Sequence, residues 1–125
     1  MQENVLVFLH GFLGTGDDWI AIMKAMSGSA RCVSVDLPGH GESILNTSKV
    51  ADQELCLSLE MVAGLLHNLI HHITTEKVTL VGYSMGARIA LYMTLKYGYK
   101  VWSYIWCFIS FRIVSLIDNL NLYEG

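Results

Sequence analysis

Five residues, Gly82-Tyr83-Ser84-Met85-Gly86, fit the spacing G-x-S-x-G. A serine hydroxyl is a weak nucleophile until a base takes its proton and an acid orients that base. This spacing suits the first member of such a set. In a sharp strand-to-helix turn the serine sits in a strained backbone conformation with its hydroxyl exposed. Glycines two before and two after allow the strand and helix to pass closely. The next amide, Met85 N–H, falls at the positive end of the helix, where it can face an oxyanion.

Other residues could complete or mimic a site. His10-Gly11-Phe12-Leu13-Gly14 follows an apolar run, and the Phe12 amide is the candidate second oxyanion donor. Arg88 lies one helical turn beyond Ser84 on the same face, where a guanidinium could grip a carboxylate. Spacing alone gives equal weight to a solvated or salt-bridged arginine. Asp36 to Ser43 forms a compact loop holding Pro38, the sole proline. Its His40 and Asp36 read as structural, the latter as an acceptor that shapes the loop. His67 and His71 are spaced for zinc with His72 adjacent, but no H-E-x-x-H and no third ligand is in register. They read as the polar edge of a helix, and no metal is expected.

The elements that must position these residues alternate. Strands are expected over Val5–Leu9, Arg31–Val35 and Val78–Val81. Helices are expected over Asp18–Met26, capped by Thr15, over Asp52–Ile73, and over Met85–Tyr97. Leu55, Leu59, Val62, Leu66, Leu69 and Ile73 make one apolar stripe on the second helix. Such alternation predicts an α/β fold, a parallel sheet with helices on both faces and ligands at the carboxyl ends of the strands. The 125 residues suffice for one small domain, and 53% hydrophobic against 15% charged residues excludes a disordered chain. A net charge of −3 without a basic run excludes a nucleic-acid surface. Three dispersed cysteines suit a reducing compartment. The first residues resemble neither a signal nor a transit peptide, so no targeting segment is expected. Residues 99–125 are aromatic and β-branched, with Arg112 inside the run. They read as an extra strand or helix, and a membrane span is disfavoured because the run falls short of ~20 residues.

"FLHGFLGTGDDW", "DLPGHGES" and "LVGYSMGARIAL" together resemble the α/β-hydrolase superfamily. Within it, "HGFLG", "GYSMG" and the arginine four residues after the serine are most similar to the 2-succinyl-6-hydroxy-2,4-cyclohexadiene-1-carboxylate synthases of menaquinone and phylloquinone biosynthesis. That group includes the synthase domain of the multifunctional plant protein of the pathway. The resemblance implies that Ser84 is the triad serine and that Phe12 and Met85 provide the oxyanion-hole amides. It implies that Arg88 contacts substrate carboxylates and that Tyr83 lines the same pocket. The implied reaction is proton abstraction followed by elimination of pyruvate from a carboxylated cyclohexene-type substrate, with no cofactor. It further implies a soluble protein, chloroplast-located in a plant and cytoplasmic otherwise.

The chain departs from this pattern after the serine. In the superfamily the acid and then the histidine follow the serine. Here no histidine follows Ser84, and the later acids are Asp118 and Glu124. The resemblance is therefore expected to stop near Tyr97–Val101. That gives an amino-terminal hydrolase part over 1–98, truncated after the nucleophile helix, and a non-homologous tail over 99–125. Three alternatives stay open: an ester or C–C bond hydrolase of the same fold, a non-catalytic fragment that pairs with a complete homologue, and a tail-anchored protein.

Overall fold

The structure is a computed structural model and describes residues 4–43 and 58–97. Three parallel strands form its sheet: β1 (Val5–Leu9), β2 (Arg31–Val35) and β3 (Val78–Gly82), in the order β2-β1-β3. The chain steps from β1 to one side, then crosses β1 to reach β3 on the other. Neighbouring strands whose connections leave in opposite directions open a crevice at their carboxyl ends. Here that crevice lies between the ends of β1 and β3. Leu9 is in register with both Val35 and Gly82, so all three strands end level. The loops beginning at His10, Asp36 and Tyr83 therefore leave from one edge.

Burial follows the strand period of two. Val5, Val7 and Leu9 join Val78 and Leu80 in one core, closed by helices α2 (Leu59–Ile73) and α3 (Met85–Tyr97). Side chains of this kind contribute roughly 1.5–3 kcal/mol each when fully buried. On the opposite face Phe8 meets Trp19, with ring centroids 5.1 Å apart. The expected first helix is split into a 3-10 turn, Gly16–Trp19, and α1 (Ile20–Met26). Thr15 begins it as the sequence predicts. Its Oγ1 accepts from Asp17 N–H at 3.2 Å, and Asp18 Oδ2 accepts from Thr15 N–H at 3.2 Å.

The second helix differs from expectation in its buried face. Its described part begins at Leu59, capped by Ser58, whose Oγ accepts from Met61 N–H at 3.1 Å. Residues 52–57 lie outside the described residues. Ala63, Leu66 and Ile70 are the buried positions, whereas Leu59 and Leu69 of the expected stripe are exposed. Positions i, i+3 and i+7 point one way, and small Ala63 lets α2 settle against α3, rotating the flanking leucines outward. Lys96 Nζ meets Glu60 Oε1 at 2.6 Å across the two helices. This pairing holds the Glu60 carboxyl below its ordinary range and raises the Lys96 ammonium.

Candidate active site

Ser84 lies between β3 and α3 at φ +52°, a left-handed conformation costly for a residue with a Cβ. The turn is possible because of its neighbours. A Cβ on Gly82 would meet the Gly86 backbone at 2.6 Å, and one on Gly86 would collide with the Leu9 carbonyl. The strand end and the helix start thus touch backbone to backbone. Tyr83 N–H donates to the Leu9 carbonyl at 3.1 Å, fastening the turn to the end of β1. The Ser84 side chain is exposed, and no described residue hydrogen-bonds its hydroxyl.

The loop after β1 reaches the same place. A Cβ on Gly11 would sit 3.5 Å from Ser84 Cβ and 2.9 Å from the Tyr83 ring, so this backbone lies against the serine and a side chain here would displace the Tyr83 ring. Gly14 N–H donates to the Gly11 carbonyl at 3.0 Å, closing a turn whose third residue, Leu13, has φ +62°. Among the described residues Leu13 and Ser84 are the non-glycine positions with positive φ, and they lie in the two loops that meet. Neither the Phe12 amide nor the Met85 amide has a hydrogen-bond partner among the described residues. Met85 N–H is one of the orphan donors at the start of α3.

Arg88 sits one turn into α3, its N–H donating to the Ser84 carbonyl at 3.2 Å. Its side chain is exposed, with no ion-pair partner among the described residues. Tyr83 and Phe12 are exposed as well, 53% and 71%, leaving apolar surface beside the serine.

The loop after β2 braces this edge. Asp36 Oδ1 accepts from Gly16 N–H at 2.7 Å and Oδ2 from Glu42 N–H at 3.0 Å. The Glu42 and then the Gly16 amide hold its carboxyl below the ordinary carboxylate range. That is the loop-shaping role expected from the sequence. His40 packs on the rings of His10 and Phe12, centroids 5.0 and 6.0 Å away, with Nδ1 on the Pro38 carbonyl at 3.1 Å. The sequence reading missed His10 itself. Its side chain is buried, with Nδ1 2.7 Å from the Gly11 carbonyl and Nε2 accepting Leu37 N–H at 2.9 Å. A histidine directly after an otherwise apolar strand is the available signal.

The other histidines lie elsewhere. His67 stacks on Tyr97 with ring centroids 4.0 Å apart, and His71 turns Nδ1 to the His67 carbonyl at 3.0 Å. Burial and then the neighbouring His71 lower the His67 imidazole below its ordinary value. No group of three metal-ligating side chains occurs among the described residues, and none of their helices is long and apolar enough to cross a membrane.

A family model described as "alpha/beta hydrolase fold" matches residues 4–107, past the point near Tyr97–Val101 where the motifs led us to expect the resemblance to stop. The Arabidopsis thaliana chloroplastic protein PHYLLO is 57% identical over 101 residues, 80% of this chain and 6% of that protein. A 2-succinyl-6-hydroxy-2,4-cyclohexadiene-1-carboxylate synthase from Yersinia enterocolitica is 39% identical over 97 residues, 77% of this chain and 31% of that protein. Among solved structures, MenH from S. aureus superimposes with a TM-score of 0.61 at 31% identity, covering 77% of this chain and 34% of that one. The chain thus spans about a third of the bacterial relatives' length and a small part of the plant protein's.

Proposed function

The chain belongs to the alpha/beta hydrolase fold family, and from that premise we propose that it carries the nucleophile half of a menaquinone- or phylloquinone-pathway synthase. The reaction is elimination of pyruvate from a carboxylated cyclohexene-type substrate. Ser84 is the triad serine, the Phe12 and Met85 amides receive the developing oxyanion, Arg88 binds a substrate carboxylate and Tyr83 lines the pocket. One observation carries this reading: Ser84, strained at φ +52°, lies against the Gly11 backbone while two nearby amides remain unpartnered. Preorganised donors at such a place are the largest single contribution in many enzymes of this kind. The similarity to the synthases favours pyruvate elimination over ester cleavage.

The test is an assay of this chain, alone and together with a complete homologue whose own nucleophile serine is replaced by alanine, for pyruvate release and for p-nitrophenyl ester hydrolysis. Pyruvate release that disappears in Ser84→Ala is the expected result. Ester hydrolysis without pyruvate release would reject the lyase in favour of a hydrolase.

A second reading is favoured by the titratable groups. Among the described residues no histidine hydrogen-bonds the Ser84 hydroxyl, and both ring nitrogens of His10 are engaged. Without a base the serine stays near its ordinary reactivity. In this reading the chain is a non-catalytic module that pairs with a complete homologue. Pyruvate release absent from the isolated chain, with the chain co-eluting with the homologue in gel filtration, supports it.

A further inference from the structure

We propose that His10 is a positioning residue, which in its Nδ1–H tautomer grips the Gly11 carbonyl and thereby aims the Phe12 N–H at the space over Ser84. This rests on the reading of Phe12 N–H as an oxyanion donor. His10 is the buried polar side chain of the described core, 1% exposed. An imidazole so placed needs both nitrogens satisfied. A carbonyl only accepts, so Nδ1, 2.7 Å from the Gly11 oxygen, carries the hydrogen. Leu37 N–H donates to Nε2 at 2.9 Å, so Nε2 carries the lone pair. One neutral tautomer meets both demands.

The Gly11 carbonyl thus has two donors, His10 Nδ1–H and Gly14 N–H. That oxygen and the Phe12 N–H belong to one planar trans peptide and point in opposite directions. Fixing the oxygen towards His10 and Gly14 fixes the hydrogen towards the other side. The Phe12 N–H is unpartnered among the described residues, and Gly11 lies against Ser84. Leu13, at φ +62°, strains the next peptide along, Phe12–Leu13, so the Gly11–Phe12 peptide is held by the two donors on its oxygen. Through Leu37, the same imidazole ties the oxyanion loop to the Asp36–Ser43 loop.

The experiment uses the isotope-labelled chain. Long-range proton–nitrogen spectra are expected to show His10 as the Nδ1–H tautomer, and an Nε2–H tautomer would overturn the proposal. The residual dipolar coupling of the Phe12 N–H is expected to fit the fixed orientation of that bond in the native chain and to be averaged in His10→Ala, while that of Met85 is unchanged. It should recover in His10→Asn, whose amide places a donor where Nδ1 was. An unchanged Phe12 coupling in His10→Ala, or a lost one in His10→Asn with Met85 intact, rejects the positioning role. If His10→Ala does not fold, His10→Asn and the tautomer decide. Phenylboronic acid, which forms a tetrahedral anion on a serine, is expected to shift both the Phe12 and the Met85 amide. His10→Ala should then weaken its binding roughly tenfold, one charge-assisted hydrogen bond. A native chain with the expected tautomer and coupling but a boronate response at Met85 alone would support the grip of His10 and overturn the oxyanion reading of Phe12.

Discussion

At the scale of single residues, the candidate site depends on a few polar side chains that fasten backbone. Asp36 accepts two amide hydrogens from segments on either side of it, Gly16 and Glu42. Asp36→Ala is expected to destabilise the fold by about 1–2 kcal/mol at pH 7, read from urea denaturation. The pH dependence has a definite sign. The native carboxyl titrates below the ordinary value of 3.8, so the unfolded chain binds more protons in acid. The contribution of Asp36 is complete above that value and disappears as pH falls through the lower native one. Native and Asp36→Ala midpoints should therefore converge in strong acid. Asp36 was legible as a loop residue because it opens a stretch rich in proline and glycine. His10 was not, because its partners come from backbone groups, which carry no sequence signature.

At the scale of elements, β3 and α3 meet without side chains between them. Gly86→Ala would drive a methyl into the Leu9 carbonyl, and the helix start would have to shift. We expect a loss of about 3 kcal/mol in thermal or urea denaturation. Gly28→Ala, where nothing lies within 4 Å, should fall within about 0.5 kcal/mol of the native chain. Equal effects at both positions would deny the close approach. The element boundaries were readable: the predicted spans of β1, β2 and α3 agree with the structure, and β3 extends only one residue further. Strand order was less accessible, because the apolar runs identify buried strands but not their neighbours. The stripe on α2 misplaced its buried face because leucines on both flanks satisfy the same helical spacing.

At the scale of the whole molecule, the described residues cover the two faces of the sheet unequally. The α2–α3 face encloses the larger core, whereas α1 has no buried residue and leaves Ile20, Ile22 and Met26 exposed, 43%, 48% and 39%. Of these, Ile22 and Met26 lie four apart on one face of the helix, and exposed apolar side chains so placed promote association. Ile22→Lys is expected to reduce concentration-dependent self-association in sedimentation velocity without changing the urea midpoint by more than about 0.5 kcal/mol. An unaltered sedimentation profile would deny that this flank is adhesive.

The bond between Leu37 and His10 spans 27 residues, and this separation has a consequence for synthesis. At ordinary elongation rates the imidazole is made roughly 1–5 s before its second partner, whereas short loops close in well under a microsecond. During that interval the nascent His10–Gly14 loop has only its local bonds, Gly14 N–H and His10 Nδ1–H on the Gly11 carbonyl. Ser84, against which that loop lies in the folded chain, is made later still. The order of translation thus lets the His10–Gly14 loop be locked through Leu37 before Ser84 has been synthesised.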